Sequence, residues 1–427
     1  MAEKLRVGVI GAGRWADTAH LPGFTRSPLC DVVAICDLDR PLAEEKARKY
    51  GIPTVETDFE KLINRKDIDV IDIVTRGDNH QELTFAALEA GKHILVEKPV
   101  CHDYRDVIRA HNLAKSKGLK TKVGLTFRYA PATMYMFDLI REGFIGTPYV
   151  FNGYEQNSQW IDPNNPIDKR IHKVRPVGEP PFGMDLRPEG IEVSSLEGYG
   201  APTIDIGLEC VGCGLVEVVG ALANMVPMRR RTNLDTEFER INVDDADMFI
   251  GRCTNGALYS MQSSYVTVGN YPGIEARIYG SKGAIITRLV EEFGVPQTIK
   301  TATPDAVEFV QREIPMKYFP PGYQKTDRWD TLFYGNLVQN FLEEIIAGGD
   351  TNQGNFAQSA AVQEVINAVA LAHRERRWVG LPLDPTAEPV LKGESWWRVA
   401  HQENDWIQFE VWVILFAPST PQISYGR

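Results

Sequence analysis

The 427-residue chain has few cysteines, no long apolar run and no dense cluster of basic residues. Six cysteines over this length are too sparse for a fold built on disulfides, so we expect reduced thiols. The chain enters a strand-like segment at once, without a signal-peptide pattern, which predicts a cytoplasmic protein. The apolar stretch 406–418 is interrupted by Gln408 and Glu410 and is shorter than the ~20 residues of a membrane helix.

Charge and missing motifs disfavour further classes of protein. The net charge of −11, without a Lys/Arg run, argues against nucleic acid as a partner. An anionic cofactor remains compatible, because a pyrophosphate is held by local backbone N–H groups at a helix N-terminus. The chain has no Gly-x-Ser-x-Gly elbow, and its cysteines and histidines lack the paired spacing of a zinc site. We therefore expect no bound metal.

Residues 5–125 alternate short β-branched segments with helical patterns, which is typical of a parallel, doubly wound sheet. Two of the helical patterns end at Gly91 and Gly118, where a left-handed C-cap is expected. The sequence therefore predicts an α/β Rossmann domain over residues 1–128. Its predicted strands lie in LRVGVI, VVAIC, DVIDIVT, HILVEK and KTKVGLTF.

From about Thr147 the pattern changes to strands joined by turn residues, which predicts an open, mostly antiparallel sheet with helices on one face. We assign residues 129–382 to this α+β domain, whose last helices can pack back on the Rossmann domain, and 383–427 to a Trp-rich tail. One helix-like run covers 203–222, and further helices are predicted over 331–347 and 356–375. The predicted strands lie in PYVFNGYEQNSQW, MFIGRC, ALYSMQSSYVTV, EARIYGS and GAIITRL.

A glycine-rich turn lies where the first strand meets a helix. Gly11, Gly13 and Ala16 form Gly-x-Gly-x-x-Ala, which brings backbone close to a pyrophosphate. Asp37 follows the next strand, where a carboxylate accepts the ribose hydroxyls of NAD and repels the 2′-phosphate of NADP. The turn predicts NAD as the cofactor, with NADP as the alternative because Arg40 lies nearby.

Acid–base candidates follow from position and spacing. Lys98, in Glu97-Lys98-Pro99, comes at the carboxyl edge of the predicted sheet, where ligands of open α/β sheets bind. A solvated charge is the alternative interpretation. Asp205 and Glu209 are spaced i, i+4 on a predicted helix, so their carboxyl groups are neighbours, and repulsion in such a pair raises one pKa, which suits a general base. A salt-bridged or capping pair is the alternative.

The polar and aromatic segment that ends a predicted strand fits a carbohydrate site, since aromatic faces meet C–H groups and amides meet hydroxyls. From it we select Tyr154, Gln156 and Trp160 as candidate substrate contacts. A wet sheet edge is the alternative interpretation.

With these residues placed, the chain resembles the glucose-fructose oxidoreductase/inositol dehydrogenase/MocA (Gfo/Idh/MocA) family over about residues 5–382. The resemblance implies a Rossmann domain that binds NAD or NADP and a second, open sheet that covers the substrate. It also implies a homo-oligomer, a dimer or tetramer, formed through that sheet. The segments that carry it are VGVIGAGRWADTAHLPGF, AICDLDR, ALEAGKHILVEKP, VGLTFRYAPA, IDIGLE, EARIYGSKGAI and RRWVGLPL.

The resemblance also implies roles for single residues. The Lys of the family's Glu-Lys-Pro motif assists proton transfer at the substrate hydroxyl, which implies Lys98. The later helix of the family reads Asp-x-Gly-x-His, which matches Asp205 and Gly207 but places Glu209 at the histidine. The family's Asp three residues further is Gly212 here. We thus take Lys98, Asp205 and Glu209 as catalytic and substrate-binding candidates.

The remaining site predictions concern the cofactor. Where the family commonly has Thr-Pro-Asn after the fourth strand, this chain has Thr75-Arg76-Gly77. Beyond the glycine turn and Asp37, we select as candidate cofactor contacts Arg14, Trp15, Thr75, His80, Glu97, Lys98 and Arg128.

We expect an NAD(P)-dependent dehydrogenase that moves a hydride between nicotinamide and the carbon of a secondary hydroxyl on a sugar, glycoside or cyclitol. Two alternatives stay open because Glu209 replaces the family's histidine. One is a redox-neutral glycosidase or epimerase with tightly held NAD. The other is a non-catalytic NAD-binding regulator, since a fold alone does not guarantee chemistry.

Overall fold

The computed structural model describes residues 4–165, 193–230, 235–240, 243–269, 273–290, 297–349 and 353–386. A six-stranded sheet and a nine-stranded sheet organise them. The predicted fold class, a Rossmann domain followed by an α+β domain, is confirmed.

The six-stranded sheet is parallel throughout and has the order β3-β2-β1-β4-β5-β6. The strand order reverses between β1 and β4, and ligands of doubly wound folds bind at the carboxyl edge of that point. The strands are β1 (Leu5–Ile10), β2 (Cys30–Cys36), β3 (Thr54–Glu56), β4 (Val70–Ile73), β5 (His93–Val96) and β6 (Thr121–Val123). The connecting helices are α1 (Leu21–Arg26), α2 (Arg40–Tyr50), α3 (Phe59–Ile63), α4 (Gly77–Glu89) and α5 (Tyr104–Ser116), with a π-helical turn at Ala16–His20.

The nine-stranded sheet has the order β16-β15-β14-β13-β7-β12-β11-β8-β17, and only its β7–β12 pair is parallel. Its strands are β7 (Pro148–Gln156), β8 (Leu215–Ala223), β11 (Ala246–Cys253), β12 (Leu258–Ser264), β13 (Ile274–Gly280), β14 (Ala284–Arg288), β15 (Thr298–Thr303), β16 (Ala306–Arg312) and β17 (Val379–Gly380). A separate pair consists of β9 (Met228–Arg229) and β10 (Glu239–Arg240).

Helices cover one face of this sheet. Phe151, Gly153 and Glu155 of β7 are buried, whereas the residues between them are partly exposed, so alternation along the strand separates the two faces. A Cβ on Gly153 would lie 2.5 Å from the methyl group of Thr203. The second part of the chain contributes α6 (Pro131–Arg141), α7 (Ala201–Val211), α8 (Trp329–Ala347) and α9 (Phe356–Glu375), with short 3-10 helices at Thr126–Tyr129 and Met316–Tyr318 and a π-helical turn at Leu196–Gly200.

The prediction of one helical run over 203–222 was wrong in its second half. Helix α7 ends at Val211 because Gly212 takes a left-handed conformation, with φ of 71°, that caps the helix. The chain then enters β8 at Leu215. The β-branched residues that follow Gly214 suit the half-buried strand better than a helix.

The last helices pack on the first sheet's domain. Leu337, Val338 and Phe341 of α8 share a hydrophobic cluster with Leu21 and Phe24 of α1. Helix α9 lies against α5 and β8. The predicted boundary at residue 128 falls inside the 3-10 helix Thr126–Tyr129, and beyond residue 386 the predicted tail lies outside the described residues. In the ranges given above, no helix has the length and apolarity needed to cross a bilayer.

Candidate active site

The glycine-rich turn has the shape that a dinucleotide requires. Gly11 has a φ of 110°, and a Cβ there would lie 2.6 Å from the carbonyl oxygen of Val74. No atom lies within 4 Å of the position that a Cβ on Gly13 would take, so the space beside the turn is open. Asp37 accepts the backbone N–H of Ala12 at 2.7 Å, so the carboxylate after β2 also holds the turn. These residues fit a pyrophosphate and its ribose.

A buried carboxylate, Glu97, lies directly after β5 and joins distant parts of the chain. Its Oε1 accepts the indole N–H of Trp15 at 3.1 Å and the hydroxyl of Tyr334, and it lies 3.3 Å from Nε2 of His20. Nδ1 of His20 lies 2.8 and 3.0 Å from the two carboxylate oxygens of Asp72 in β4. Glu97 therefore connects the glycine turn, the core of the first sheet and α8.

In this cluster, burial and the neighbouring charges shift the pKa values in opposite directions. Burial acts to lower the pKa of His20, but the charge and hydrogen bond of Asp72, with a further contribution from Glu97, raise it to about 9. Burial acts to raise the pKa of Glu97. The hydrogen bond and charge of His20, the charge of Lys98 and the hydrogen bond of Trp15 together outweigh burial, so that this pKa lies below its ordinary value. A cationic imidazole between two carboxylates follows from these directions.

Lys98 points from the first domain to the second. Its Nζ donates to the carbonyl oxygen of Gly198 at 2.8 Å, and its backbone N–H lies 3.3 Å from Oε2 of Glu97. Gly198 belongs to the π-helical turn before α7, where Asp244 accepts the backbone N–H groups of Ser195 and Leu196, each at 3.0 Å. The turn that receives Lys98 is thus fixed by a buried carboxylate of its own domain.

Arg128 organises the carboxylates of α7. It is buried and donates to Oδ1 of Asp205 at 2.6 Å and to Oε2 of Glu209 at 3.1 Å. Glu209 also accepts from Arg141 at 2.8 Å and from the side-chain amide of Gln358 at 3.2 Å. Both oxygens of Glu209 are therefore engaged by donors from α6, α9 and the 3-10 helix that carries Arg128.

Asp205 has a different environment from Glu209. Among the described residues, its Oδ2 has no hydrogen-bond partner although the residue is fully buried. Burial raises the pKa of Asp205 to about 6, against the opposing charge of Arg128 and with the help of the charge of Glu209. A carboxylate with one free oxygen and a pKa near neutrality can exchange a proton. A catalytic role for Glu209 stays a prediction, and its contacts match the alternative of a salt-bridged carboxylate.

The structure separates the three predicted substrate contacts. Tyr154 and Gln156 lie on the face of β7 opposite α7, because they alternate with the buried residues of that strand. There the guanidinium of Arg277 lies 5.3 Å from the ring of Tyr154, and Gln156 donates to Gln262 at 3.2 Å. Neither residue is brought together with Lys98 and Asp205.

Trp160, unlike Tyr154 and Gln156, belongs to a group of aromatic rings that reaches the residue next to the Lys98 contact. Its ring lies 6.5 Å from that of Tyr265, which lies 5.6 Å from the ring of Tyr199. Tyr199 directly follows Gly198, the residue that accepts from Lys98. Trp160 is thus part of an aromatic group that extends from the π-helical turn.

The other predicted cofactor contacts lie around the same sheet edge. Thr75 follows β4, and His80 of α4 has ring nitrogens 2.8 Å from the carbonyl oxygen of Pro99 and 3.2 Å from that of Thr75. Burial lowers the pKa of His80. Arg14 is exposed in the glycine turn, whereas Arg128 points to the carboxylates of α7.

Sequence reasoning missed several residues of these clusters. Asp72 had a local signal, because a charged residue interrupts the apolar strand β4. His20 had a weaker signal, since it lies four residues beyond Ala16 in the glycine-turn segment. Tyr334 and Gln358 had none, because they reach the site from helices more than 140 residues along the chain from their partners. Among the described side chains, no group of three His, Cys, Asp or Glu residues is arranged to hold a metal ion.

Comparison with known proteins finds matches along most of the chain. Residues 5–125 match the GFO_IDH_MocA model, described as an oxidoreductase family with an NAD-binding Rossmann fold. Over 416 residues the chain is 25% identical to levoglucosan dehydrogenase of Pseudarthrobacter phenanthrenivorans, which covers 89% of this chain and 99% of that enzyme.

Solved structures extend the likeness to the second domain. An oxidoreductase domain protein from Kribbella flavida has a TM-score of 0.75 and 26% identity, over 89% of this chain and 99% of that one. Levoglucosan dehydrogenase in complex with NADH and levoglucosan has a TM-score of 0.75 and 24% identity, over 89% of this chain and 100% of that one. This second match is a similarity of fold. The predicted family resemblance and NAD-binding domain are confirmed.

The substitution Asp205→Asn tests the environment of Asp205. Its folded-state pKa of about 6 lies above the ordinary 3.8, so its protonation favours folding. That contribution is complete below pH 3.8 and is lost as the pH rises through about 6. Asparagine does not titrate. Relative to the unchanged protein, the variant's free energy of unfolding in urea should therefore rise by on the order of 2 kcal/mol between about pH 4 and pH 7.

Asp67→Asn is the matched control for this measurement. Asp67 is exposed, and its hydrogen bond to Arg65 lowers its pKa to about 2, so it does not titrate between pH 4 and 7. Its stability difference from the unchanged protein should stay flat over that range. An equally flat difference for Asp205→Asn would contradict the raised pKa.

Proposed function

We propose that the chain, which belongs to the Gfo/Idh/MocA oxidoreductase family, is an NAD-dependent dehydrogenase that oxidises a secondary hydroxyl of a sugar, glycoside or cyclitol. One observation carries the proposal. Glu97 binds Trp15 of the glycine turn and immediately precedes Lys98, so the predicted acid–base group lies where the cofactor turn meets the second domain.

The glycine turn and Asp37 would hold the cofactor, with the pyrophosphate on backbone N–H groups and the ribose hydroxyls on the carboxylate. NAD, when bound, accepts the hydride. Arg40 donates to Glu44 at 3.2 Å, so the cation nearest to Asp37 in sequence has an acidic partner of its own. This contact and the carboxylate of Asp37 support NAD over NADP.

Lys98 and Asp205 would handle the substrate hydroxyl. An ammonium group has three donors, and the contact with Gly198 uses one, which leaves donors for a substrate oxygen. Asp205 would take the hydroxyl proton on Oδ2, the oxygen that Arg128 does not bind. In this assignment Glu209 anchors Arg128 and is a positioning residue.

A carbohydrate-like substrate is supported by chemistry next to Lys98. The partly exposed rings of Trp160 and Tyr199, which lie on either side of the buried Tyr265, offer apolar faces to sugar C–H groups, and Tyr199 also donates a hydrogen bond to Gln159 at 2.7 Å. The similarity to levoglucosan dehydrogenase of Pseudarthrobacter phenanthrenivorans supports the same class of substrate.

We further propose a homo-oligomer, a dimer or tetramer, in the cytoplasm. Large apolar side chains are exposed on the uncovered face of the second sheet, where a second copy of the chain could bury them. They are Met248, Ile250 and Leu258. The six cysteines are free thiols, which supports a reducing compartment.

Turnover on a panel of anhydrosugars, glycosides, inositols and sugar acids tests the proposal, with NAD and NADP assayed separately by absorbance at about 340 nm. We expect NADH to accumulate with at least one sugar or cyclitol, and Lys98→Met to lower kcat by about a hundredfold or more. Lys117→Met is the control, because Lys117 pairs with Glu89 at the surface.

Two outcomes would contradict the proposal. Product without NADH would indicate the redox-neutral alternative, and a stable protein partner without any turnover would indicate the regulator. Unchanged turnover in Lys98→Met would refute the role of Lys98.

Parallel kinetics of Asp205→Asn and Glu209→Gln separate the two carboxylates of α7. We expect Asp205→Asn to lower kcat by about a hundredfold, because it removes the proton acceptor. Glu209→Gln keeps the side-chain shape and an acceptor oxygen, so its loss should be on the order of tenfold or less. NADH affinity should stay unchanged in both. A loss confined to Glu209→Gln would reverse the assignment and make Glu209 the base.

A further inference from the structure

His20 lies in the π-helical turn after the glycine motif and is fully buried. Each of its ring nitrogens faces a carboxylate, Asp72 at 2.8 Å on one side and Glu97 at 3.3 Å on the other. A neutral imidazole has a single N–H, so it can donate to only one of them. With both carboxylates ionised, two hydrogen bonds need the doubly protonated ring, and the raised pKa of His20 agrees with this.

The surroundings of Glu97 leave little room for another arrangement. A Cβ on Gly124, just after β6, would lie 2.3 Å from Oε1 of Glu97, so the missing side chain makes space for the carboxylate. The ring of Tyr334 lies 4.4 Å from that of His20, and the Tyr334 hydroxyl also accepts from Trp15 at 3.0 Å. Each neighbour of the carboxylate is thus fixed by a second contact.

Charged and titratable groups reach this cluster from each element around it. Asp72 comes from β4, Glu97 and Lys98 from the end of β5, Tyr334 from α8, and His80 from α4. Burial raises the pKa of Asp72 above its ordinary value, while the charge and hydrogen bond of His20 act to lower it. With His20 cationic and both carboxylates ionised, the trio carries one net negative charge beside Lys98. Loss of the imidazolium would leave two carboxylates facing each other in a buried space, and one of them would take up a proton.

We propose that His20 is a positioning residue of the dehydrogenase site, which holds Glu97 so that Glu97 in turn fixes Trp15 of the cofactor turn and Lys98. Asp72 orients the imidazolium from the other side. This inference rests on the proposed function and adds two buried residues that act through Glu97. A protonated Glu97 would donate through one oxygen, and the acceptor set that holds Trp15 and Tyr334 would be lost.

The kinetic test compares His20→Gln and Asp72→Asn with a matched control. His93→Gln is that control, because among the described residues the side-chain contact of His93 in β5 is with a backbone N–H, that of Lys120 at 2.9 Å. Since a displacement of about 1 Å can cost about a hundredfold in rate, we expect His20→Gln and Asp72→Asn to lower kcat on the order of ten- to a hundredfold. The KM for substrate should change much less, and NADH should bind several-fold more weakly. His93→Gln should lower Tm by about as much as the other two substitutions but leave kcat and NADH affinity unchanged.

A second readout does not depend on turnover. Nitrogen-15 NMR of histidine-labelled holoenzyme should find both ring nitrogens of His20 protonated at about pH 7.5, with titration near pH 9. In Asp72→Asn the pKa of His20 should be lower than in the unchanged protein. A neutral His20 ring at about pH 7.5, or unchanged kcat and NADH affinity in His20→Gln, would overturn the inference. If the unchanged enzyme turns over nothing on the panel, the proposed function fails, while the NMR signal and NADH affinity still decide the role of His20.

Discussion

The buried carboxylate of Glu97 is the interaction on which the site depends. One oxygen accepts from Trp15 and Tyr334 and faces His20, and the next residue in the chain is Lys98. A buried anion is costly unless donors and an opposite charge surround it, so these neighbours cannot vary independently. The glycine turn, Lys98 and α8 are thereby held in one arrangement, and α8 belongs to the second part of the chain.

A second buried charge, Arg128, organises the carboxylates of α7. It binds both carboxylates of α7. Arg141 and Gln358 also bind Glu209, whereas one oxygen of Asp205 has no hydrogen-bond partner in the part of the chain that the structure describes. Glu209 thus pairs with two guanidinium groups, which attract a carboxylate and would repel an imidazolium. In the proposed assignment, proton transfer belongs to Asp205.

Local chemistry made part of this site predictable from sequence. The glycine turn, Asp37 and Lys98 are fixed by turn geometry and by strand ends, so their positions followed from spacing alone. Alternation in β7 indicated that its residues face two ways, but not which set faces α7, and Tyr154 proved to lie on the far side. Contacts such as that of Tyr334 with Glu97 depend on tertiary packing over 237 residues, for which a sequence has no periodic signal.

Glu97→Gln tests the central claim most directly, because the substitution keeps the size of the side chain and removes its charge. NADH affinity and kcat should be measured on the same preparation, with thermal unfolding as a check on the fold. The account predicts that both fall together, each by on the order of tenfold or more, since one carboxylate holds Trp15 and Lys98. A folded variant in which NADH affinity and kcat both match those of the unchanged enzyme would contradict it.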